Sequence, residues 1–181
     1  MKVLGIDPGT RVTGFGIVEK GKAGILLRLH DGCVLVNERA PLSDRLHAIY
    51  GGITSVIDEF KPDCVAVETV FYGKNVKSAI LLAHARGVAL LCAAQAGLPV
   101  YEYNPVTIKS TVTGYGKATK DQVQKMVKML LKASHDMRPD ASDALAAAVC
   151  HIHSLRAPAP GAVLKTMDAG TLRKSFTPIE G

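Results

Sequence analysis

Short apolar runs alternate with longer amphipathic segments along most of this 181-residue chain. Runs of apolar, partly β-branched residues bounded by turn residues predict strands over residues 3–6, 12–20, 24–36, 64–68 and 100–103. Apolar residues at helical spacing predict helices over residues 44–60, 75–96, 120–131 and 139–154. The segment 104–117, rich in Thr, Gly and Lys, has the composition of a loop with room for a short helical turn.

The connections between these elements predict a mixed α/β sheet flanked by helices. Gly21 and Lys22 leave room only for a tight turn, so we expect the first three strands to form an antiparallel meander. A helix with Ser43 as its N-cap follows, and we expect the next strand to run parallel to the first. We expect one domain over residues 1–156 and a disordered tail over the Pro-, Gly- and Ala-rich residues 157–181.

Composition and charge narrow the class of protein without fixing a function. The chain has 22 Lys and Arg against 16 Asp and Glu, which permits a polyanionic partner but does not require one. Its four cysteines are scattered with no CxxC pair, so we expect free thiols in a reducing compartment, with the cytoplasm as the default. No signal peptide is visible, and the apolar stretch 79–100 contains His84, Arg86 and Gln95, which favours a buried helix over a membrane span.

Two carboxylates stand at the ends of predicted strands. Asp7 ends the first strand and opens the turn Asp-Pro-Gly-Thr, and Glu68 ends the strand over 64–68. If these strands are parallel neighbours, both side chains lie at one sheet edge, where their like charges repel unless a cation sits between them. Taken alone, Asp7 could simply accept turn N–H bonds, and Glu68 could be a surface residue.

Two more carboxylates, Asp140 and Asp143, are three residues apart on one face of the last predicted helix. An Asp in a first helical turn also interacts favourably with the helix dipole, which is the simpler explanation for Asp140. Together the four acids make an oxygen site suited to Mg²⁺ or Mn²⁺, in which two ions about 4 Å apart can promote phosphodiester cleavage. No Cys cluster or His pair competes as a zinc site, since His151 and His153 face different ways on their helix.

Four motifs in order carry a family resemblance that extends from residue 1 to about 154. They are GIDPGTRVTGFG around Asp7, VAVETVFYGKN around Glu68, ARGVA at Arg86, and DASDALAAA around Asp140 and Asp143. With these motifs the chain resembles the RuvC family of crossover junction endodeoxyribonucleases, within the ribonuclease H-like superfamily. The resemblance implies a five-stranded mixed sheet, with three antiparallel and two parallel strands, and a homodimer with two active sites.

The resemblance also implies an activity, a cofactor and partners. The activity is resolution of Holliday junctions, four-way DNA junctions formed in recombination and repair, by paired nicking of two strands of like polarity. Asp7, Glu68, Asp140 and Asp143 match the family's metal-binding catalytic carboxylates, which implies two Mg²⁺ ions per site, with Mn²⁺ as a substitute. Lys109, Lys120 and Phe71 match positions that contact DNA. The RuvA–RuvB branch migration complex is the implied protein partner.

The residues themselves leave alternatives open for these DNA contacts. Phe71 lies in a basic loop where it could stack on an unpaired base, or it could fold back onto the core. Lys109 and Lys120 could follow a phosphate backbone, or form part of a solvated surface.

Two other functions compete with a nuclease. The first is a single-lobed actin-like ATP-binding domain, since such domains also begin with a strand and an Asp-x-Gly-x-Thr turn. That class needs two related lobes and a second Gly-rich phosphate loop, and neither is evident. The second is a DNA-binding module without catalysis, which the four intact acids disfavour.

Overall fold

The computed structural model describes residues 1–69, 76–133 and 136–155. Its strands are β1 (Lys2–Asp7), β2 (Val12–Lys20), β3 (Leu26–Leu35), β4 (Cys64–Glu68) and β5 (Val100–Tyr103). Its helices are α1 (Leu42–Phe60), α2 (Val76–Gln95), α3 (Pro105–Thr113), α4 (Lys120–Leu130) and α5 (Pro139–Ser154), with a short 3₁₀ turn at Lys22–Gly24. The loop that contains Phe71 and the predicted tail over 157–181 lie outside the described residues.

The strands form one sheet in the order β3-β2-β1-β4-β5. β1, β2 and β3 pair antiparallel, whereas β4 runs parallel to both β1 and β5. The expected meander and the expected mixed sheet are therefore confirmed. β1 lies at the centre of the sheet and pairs with β2 on one side and with β4 on the other.

Helices cover both faces of the sheet. α3, α4 and α5 pack on one face and α1 and α2 on the other, and each layer has its own cluster of buried apolar residues. Side chains alternate along β1, so that Val3 joins the α5 layer while Leu4 and Ile6 join the α1 and α2 layer. The same alternation turns Asp7 toward the α5 layer.

Two predicted elements differ from the structure. The expected 104–117 loop contains helix α3, which begins where the Asn104 side chain accepts the Thr107 N–H at 2.8 Å. Pro105 fits the first turn of α3, and Gly114, with a φ of 79°, ends it. Helix α1 begins at Leu42 with Pro41 at the N-cap, so Ser43 lies inside the first turn and is not the cap.

The starts of α4 and α5 are confirmed. Thr119 accepts the Gln122 N–H while the Gln122 side chain accepts the Thr119 N–H, a reciprocal capping box. Pro139 occupies the first turn of α5, where its missing N–H removes no helical bond.

Helix α2 is less buried than its composition suggested. Ala85, Ala89, Cys92 and Ala93 face the core, but a second apolar stripe faces outward. By length and composition alone α2 could cross a membrane, yet in this fold one of its faces packs against α1. The outward face of α2 exposes Val76, Ile80 and Leu91 on the surface of the folded domain.

Candidate active site

The strand ends bring Asp7 and Glu68 together. Ile6 pairs with Val67 in the parallel β1–β4 ladder, and the two acids follow one residue later on each strand. Both side chains lie toward the α5 layer, by the alternation that places Val3 and Ala66 there. Asp7, Glu68 and Asp143 line one cleft of about 280 Å³, which Lys120 also lines.

Close packing of α5 on the sheet sets the other two acids in place. A Cβ built on Gly5 would lie 1.8 Å from the carbonyl oxygen of Ala144, and one on Gly14 would lie 2.0 Å from that of Asp140. Only glycine permits such an approach between strand and helix backbones. The helix therefore rests directly on β1 and β2, with its first turns beside the ends of β1 and β4.

The turn after Asp7 is fixed from two sides. The Thr13 hydroxyl donates to the Gly9 carbonyl at 2.7 Å and accepts the Gly9 N–H at 3.3 Å. From α1, the guanidinium of Arg45 donates to the Thr10 carbonyl through Nε at 2.8 Å and also through Nη2. Nothing local in the sequence indicates that Arg45, 35 positions away, reaches this turn.

Burial and mutual repulsion dominate the electrostatics of the acids. Burial, reinforced by the charges of Asp143, Glu68 and Asp140, raises the pKa of Asp7 from 3.8 to about 7. Burial, with the charge of Asp143 next, also raises the pKa of Glu68, and burial raises that of Asp143. Each group thus lies in the field of the others, and a cation among them would relieve the repulsion.

Two lysines reach the same place from different helices. Lys120, the first residue of α4, has its Nζ 2.6 Å from the Asp143 Oδ2. Lys109, on α3, joins Lys120, Glu68 and Asp143 in lining a second cleft of about 250 Å³. The Lys109 charge also lowers the pKa of Glu68 and of Asp143, in opposition to burial.

A third cleft extends the site in the opposite direction. It has a volume of about 560 Å³ and is lined by the β1–β2 turn, by α2 near its start, and by Asp140. Leu82 borders both this cleft and the one that holds Asp7. The three clefts adjoin through shared lining residues, and we refer to them together as the groove. Lys109 and Lys120 line one of these clefts, and the exposed Arg11, which is paired with Glu38, lines another.

Comparison with known proteins decides the family. The model of the family described as "Crossover junction endodeoxyribonuclease RuvC" matches residues 3–151. The chain belongs to the RuvC family. The family member from Syntrophotalea carbinolica is 51% identical over 153 residues, which cover 84% of this chain and 94% of that protein. The member from Trichlorobacter lovleyi is 47% identical and covers 96% of this chain and 98% of its own length.

Solved structures of the RuvC family agree with the fold. Thermus thermophilus RuvC in complex with Holliday junction substrate matches with a TM-score of 0.81 at 35% identity, covering 86% of this chain and 95% of that chain. The five-stranded mixed sheet inferred from the motifs is thereby confirmed.

The donor set fits the divalent metal that membership of this nuclease family implies. Carboxylate oxygens are the ligands that hard cations such as Mg²⁺ and Mn²⁺ take, and the four acids lie within electrostatic range of one another. Among the described residues, no three His, Cys, Asp or Glu side chains lie close enough together to share one ion. One Asp143 oxygen is instead in contact with the Lys120 ammonium.

His151 belongs to the core and not to this site. It is buried, the Tyr103 hydroxyl lies 2.7 Å from its Nδ1, and its ring packs against that of Tyr101. Burial lowers the pKa of His151 to about 4, so it stays neutral at physiological pH.

Proposed function

We propose that this chain is a divalent-metal-dependent endonuclease that resolves Holliday junctions during DNA recombination and repair. One observation carries the proposal: the acids from β1, β4 and α5 share a groove that lysines from α3 and α4 flank. A groove of this kind suits a phosphodiester backbone, since the lysines neutralise phosphates while the acids supply oxygen ligands. Membership of the RuvC family supports the same activity.

We assign the catalytic roles to the four acids that match the family's metal-binding positions. Asp7, Glu68, Asp140 and Asp143 would hold Mg²⁺, two ions per site, with Mn²⁺ able to substitute. When bound, such ions activate water and stabilise the leaving oxygen of the cleaved strand. Lys109 and Lys120 would bind the phosphates next to the scissile one and hold the strand against the acids.

A homodimer is part of the proposal, because paired nicking needs two active sites. The outward stripe of α2 supports it: Val76, Ile80 and Leu91 are each more than half exposed. Ala83, Gly87 and Ala94 continue the stripe at spacings of three and four residues, which lets a second α2 approach closely. A second copy of this chain is the partner that such a self-complementary stripe fits.

Phe71 is proposed as a base-stacking residue near the junction crossover. It follows Glu68 by three residues, in a predicted loop that also contains Gly73 and Lys74. A stacked base is worth about 1–3 kcal/mol, so Phe71→Ala should reduce affinity for open junctions more than for duplex. Unchanged junction binding together with a large fall in melting temperature would instead mark Phe71 as a core residue.

Three further proposals remain, of which the first rests on the family and the other two on the composition of the sequence. They are a partnership with the RuvA–RuvB branch migration complex, a cytoplasmic location, and a nuclease domain that ends near residue 156. Pull-down of RuvA–RuvB by the full chain, compared with a chain ending at residue 156, tests the first and assigns a role to the tail.

The experiment that tests the activity incubates the protein with a synthetic four-way junction, a matched linear duplex, or ATP, with and without Mg²⁺. We expect two symmetric cuts in the junction only when Mg²⁺ is present, with little cutting of duplex. ATP hydrolysis without DNA cleavage would support the actin-like alternative and reject the nuclease. Metal-independent binding without cleavage would support a non-catalytic DNA-binding module.

A further inference from the structure

The contact between Lys120 and Asp143 does more than place a cation in the groove. The Lys120 Nζ lies 2.6 Å from the Asp143 Oδ2, the shortest approach of any lysine to the four acids among the described ion pairs. The acid is mostly buried, with 19% of its side chain exposed, whereas the lysine is 58% exposed. The acid is therefore enclosed by its surroundings, whereas most of the lysine side chain borders solvent.

The location of Lys120 is unfavourable for the helix that carries it. It is the first residue of α4, where the helix dipole is positive and a cation is normally disfavoured. The Thr119–Gln122 capping box nevertheless fixes the start of α4 at this point. The nearby carboxylates offset this unfavourable interaction with the helix dipole. The Asp143 hydrogen bond and the Asp7 and Asp140 charges all favour the charged form of Lys120, so its pKa is raised.

We propose that Lys120 competes with the divalent cation for Asp143. Its ammonium holds the carboxylate oxygen that the ion needs, and a DNA phosphate draws the ammonium off because it offers the lysine another anion. Metal binding and DNA binding at this groove are then coupled, each making the other more favourable. The inference rests on the proposed metal site and goes beyond it by giving Lys120 a second role besides phosphate contact.

The test measures binding rather than cleavage. Titration of the free full-length protein with Mn²⁺, followed by electron paramagnetic resonance, gives the metal dissociation constant for wild type and Lys120→Gln. We expect Lys120→Gln to bind Mn²⁺ about threefold to tenfold more tightly, as loss of a partly buried ion pair frees Asp143. Its affinity for a four-way junction in EDTA should fall, because a phosphate contact is lost. A purely structural role would weaken both.

Two matched variants distinguish the effect of the direct Lys120–Asp143 contact from the general effect of a positive charge in the groove. Lys109→Gln removes the same charge from the same groove, but Lys109 makes no ion pair in the described part of the chain, so we expect a gain of about twofold or less. Lys120→Arg keeps the charge and should retain the wild-type Mn²⁺ constant. The melting temperature of each variant in EDTA checks that the fold is unchanged.

Failure of the Lys120 competition and failure of the proposed metal site would give different results. An unchanged or weaker Mn²⁺ constant for Lys120→Gln, or a gain equal to that of Lys109→Gln, would overturn the competition while leaving the nuclease proposal intact. Asp143→Asn tests the site itself, because it removes a ligand and should weaken Mn²⁺ binding severalfold. If Asp143→Asn bound Mn²⁺ as wild type does, the metal site of the proposed function would be wrong.

Discussion

At the scale of single residues, Asp7 shows the tension between folding and function. Its backbone is fixed by the centre of the sheet, and its carboxylate is buried beside three other acids. The folded pKa of about 7 lies above the ordinary value of 3.8, so the folded state holds a proton that the unfolded state loses. Stability contributed by protonated Asp7 is present at low pH and is lost as the pH rises from about 4 to 7.

A first prediction follows for Asp7→Asn. In EDTA at pH 8 the variant should melt higher than wild type, by roughly 5 °C, because it removes a buried charge. Near pH 4, where Asp7 is protonated, the two melting temperatures should converge. The variant should bind four-way junctions but not cut them. Equal melting temperatures at pH 8, or cleavage at the wild-type rate in Mg²⁺, would contradict this assignment.

A second prediction concerns Arg45, which is half-buried and donates two hydrogen bonds to the Thr10 carbonyl. Arg45→Ala leaves that carbonyl without its donor, which costs about 1–3 kcal/mol of folding free energy. Since the same turn leads out of Asp7, cleavage per folded molecule should also fall. Arg45→Lys can restore one donor and should recover part of the loss. Arg39→Ala, an exposed change before α1, is the control for charge.

At the scale of elements, the packing of α5 on β1 and β2 is what turns strand ends into a site. The Ala-rich face of α5 and the glycines of both strands allow backbones to touch, so two acids from the helix reach two acids from the sheet. Close packing normally stabilises a core, but here it also brings like charges together, and their repulsion opposes folding.

A third prediction tests that packing. Gly5→Ala puts a Cβ 1.8 Å from the Ala144 carbonyl oxygen, so α5 must shift outward. We expect a loss of about 1–3 kcal/mol or more in unfolding free energy and a strong loss of cleavage. Gly51→Ala is the matched control, since Gly51 lies inside α1 with nothing within 4 Å of its new Cβ. There the same substitution should stabilise by roughly 0.5–1 kcal/mol.

Elements with strong local signals could be predicted from the sequence, and those that depend on distant contacts could not. Three element boundaries have local signals in the sequence. They are the apolar run that ends at Asp7, the capping box at Thr119, and Pro139 at the start of α5. Helix α3 is longer than the short helical turn that the sequence predicts within residues 104–117, where Thr and Val have low helix propensity, while Asn104 and Gly114 supply the caps. The Arg45 contact and the exposure of one face of α2, a helix that was expected to be buried, arise only from the tertiary fold.

At the scale of the whole molecule, acidic and basic side chains line the same groove. The chain carries a net charge of +6, and its four acids line a groove that Lys109 and Lys120 also line, while the Arg11 that borders the same groove is paired with Glu38. A bound strand would therefore be attracted at its flanking phosphates and meet carboxylates only where cations are needed. The groove lies at the edge of the sheet, and α2 contributes both a wall of it and the outward apolar stripe.

A fourth prediction follows from that double role of α2. If a second copy covers the stripe, Ile80→Glu places a charge in the interface and should convert a dimer to a monomer in light scattering. The monomer should still nick a four-way junction in Mg²⁺, but the two opposing cuts should become uncoupled, so that nicked junctions accumulate. Ile25→Glu is the control, since Ile25 is exposed to the same degree, 54% against 53%, but lies beside the 3₁₀ turn away from α2. A dimeric Ile80→Glu protein with coupled cuts would show that the stripe is not the surface that joins the two active sites.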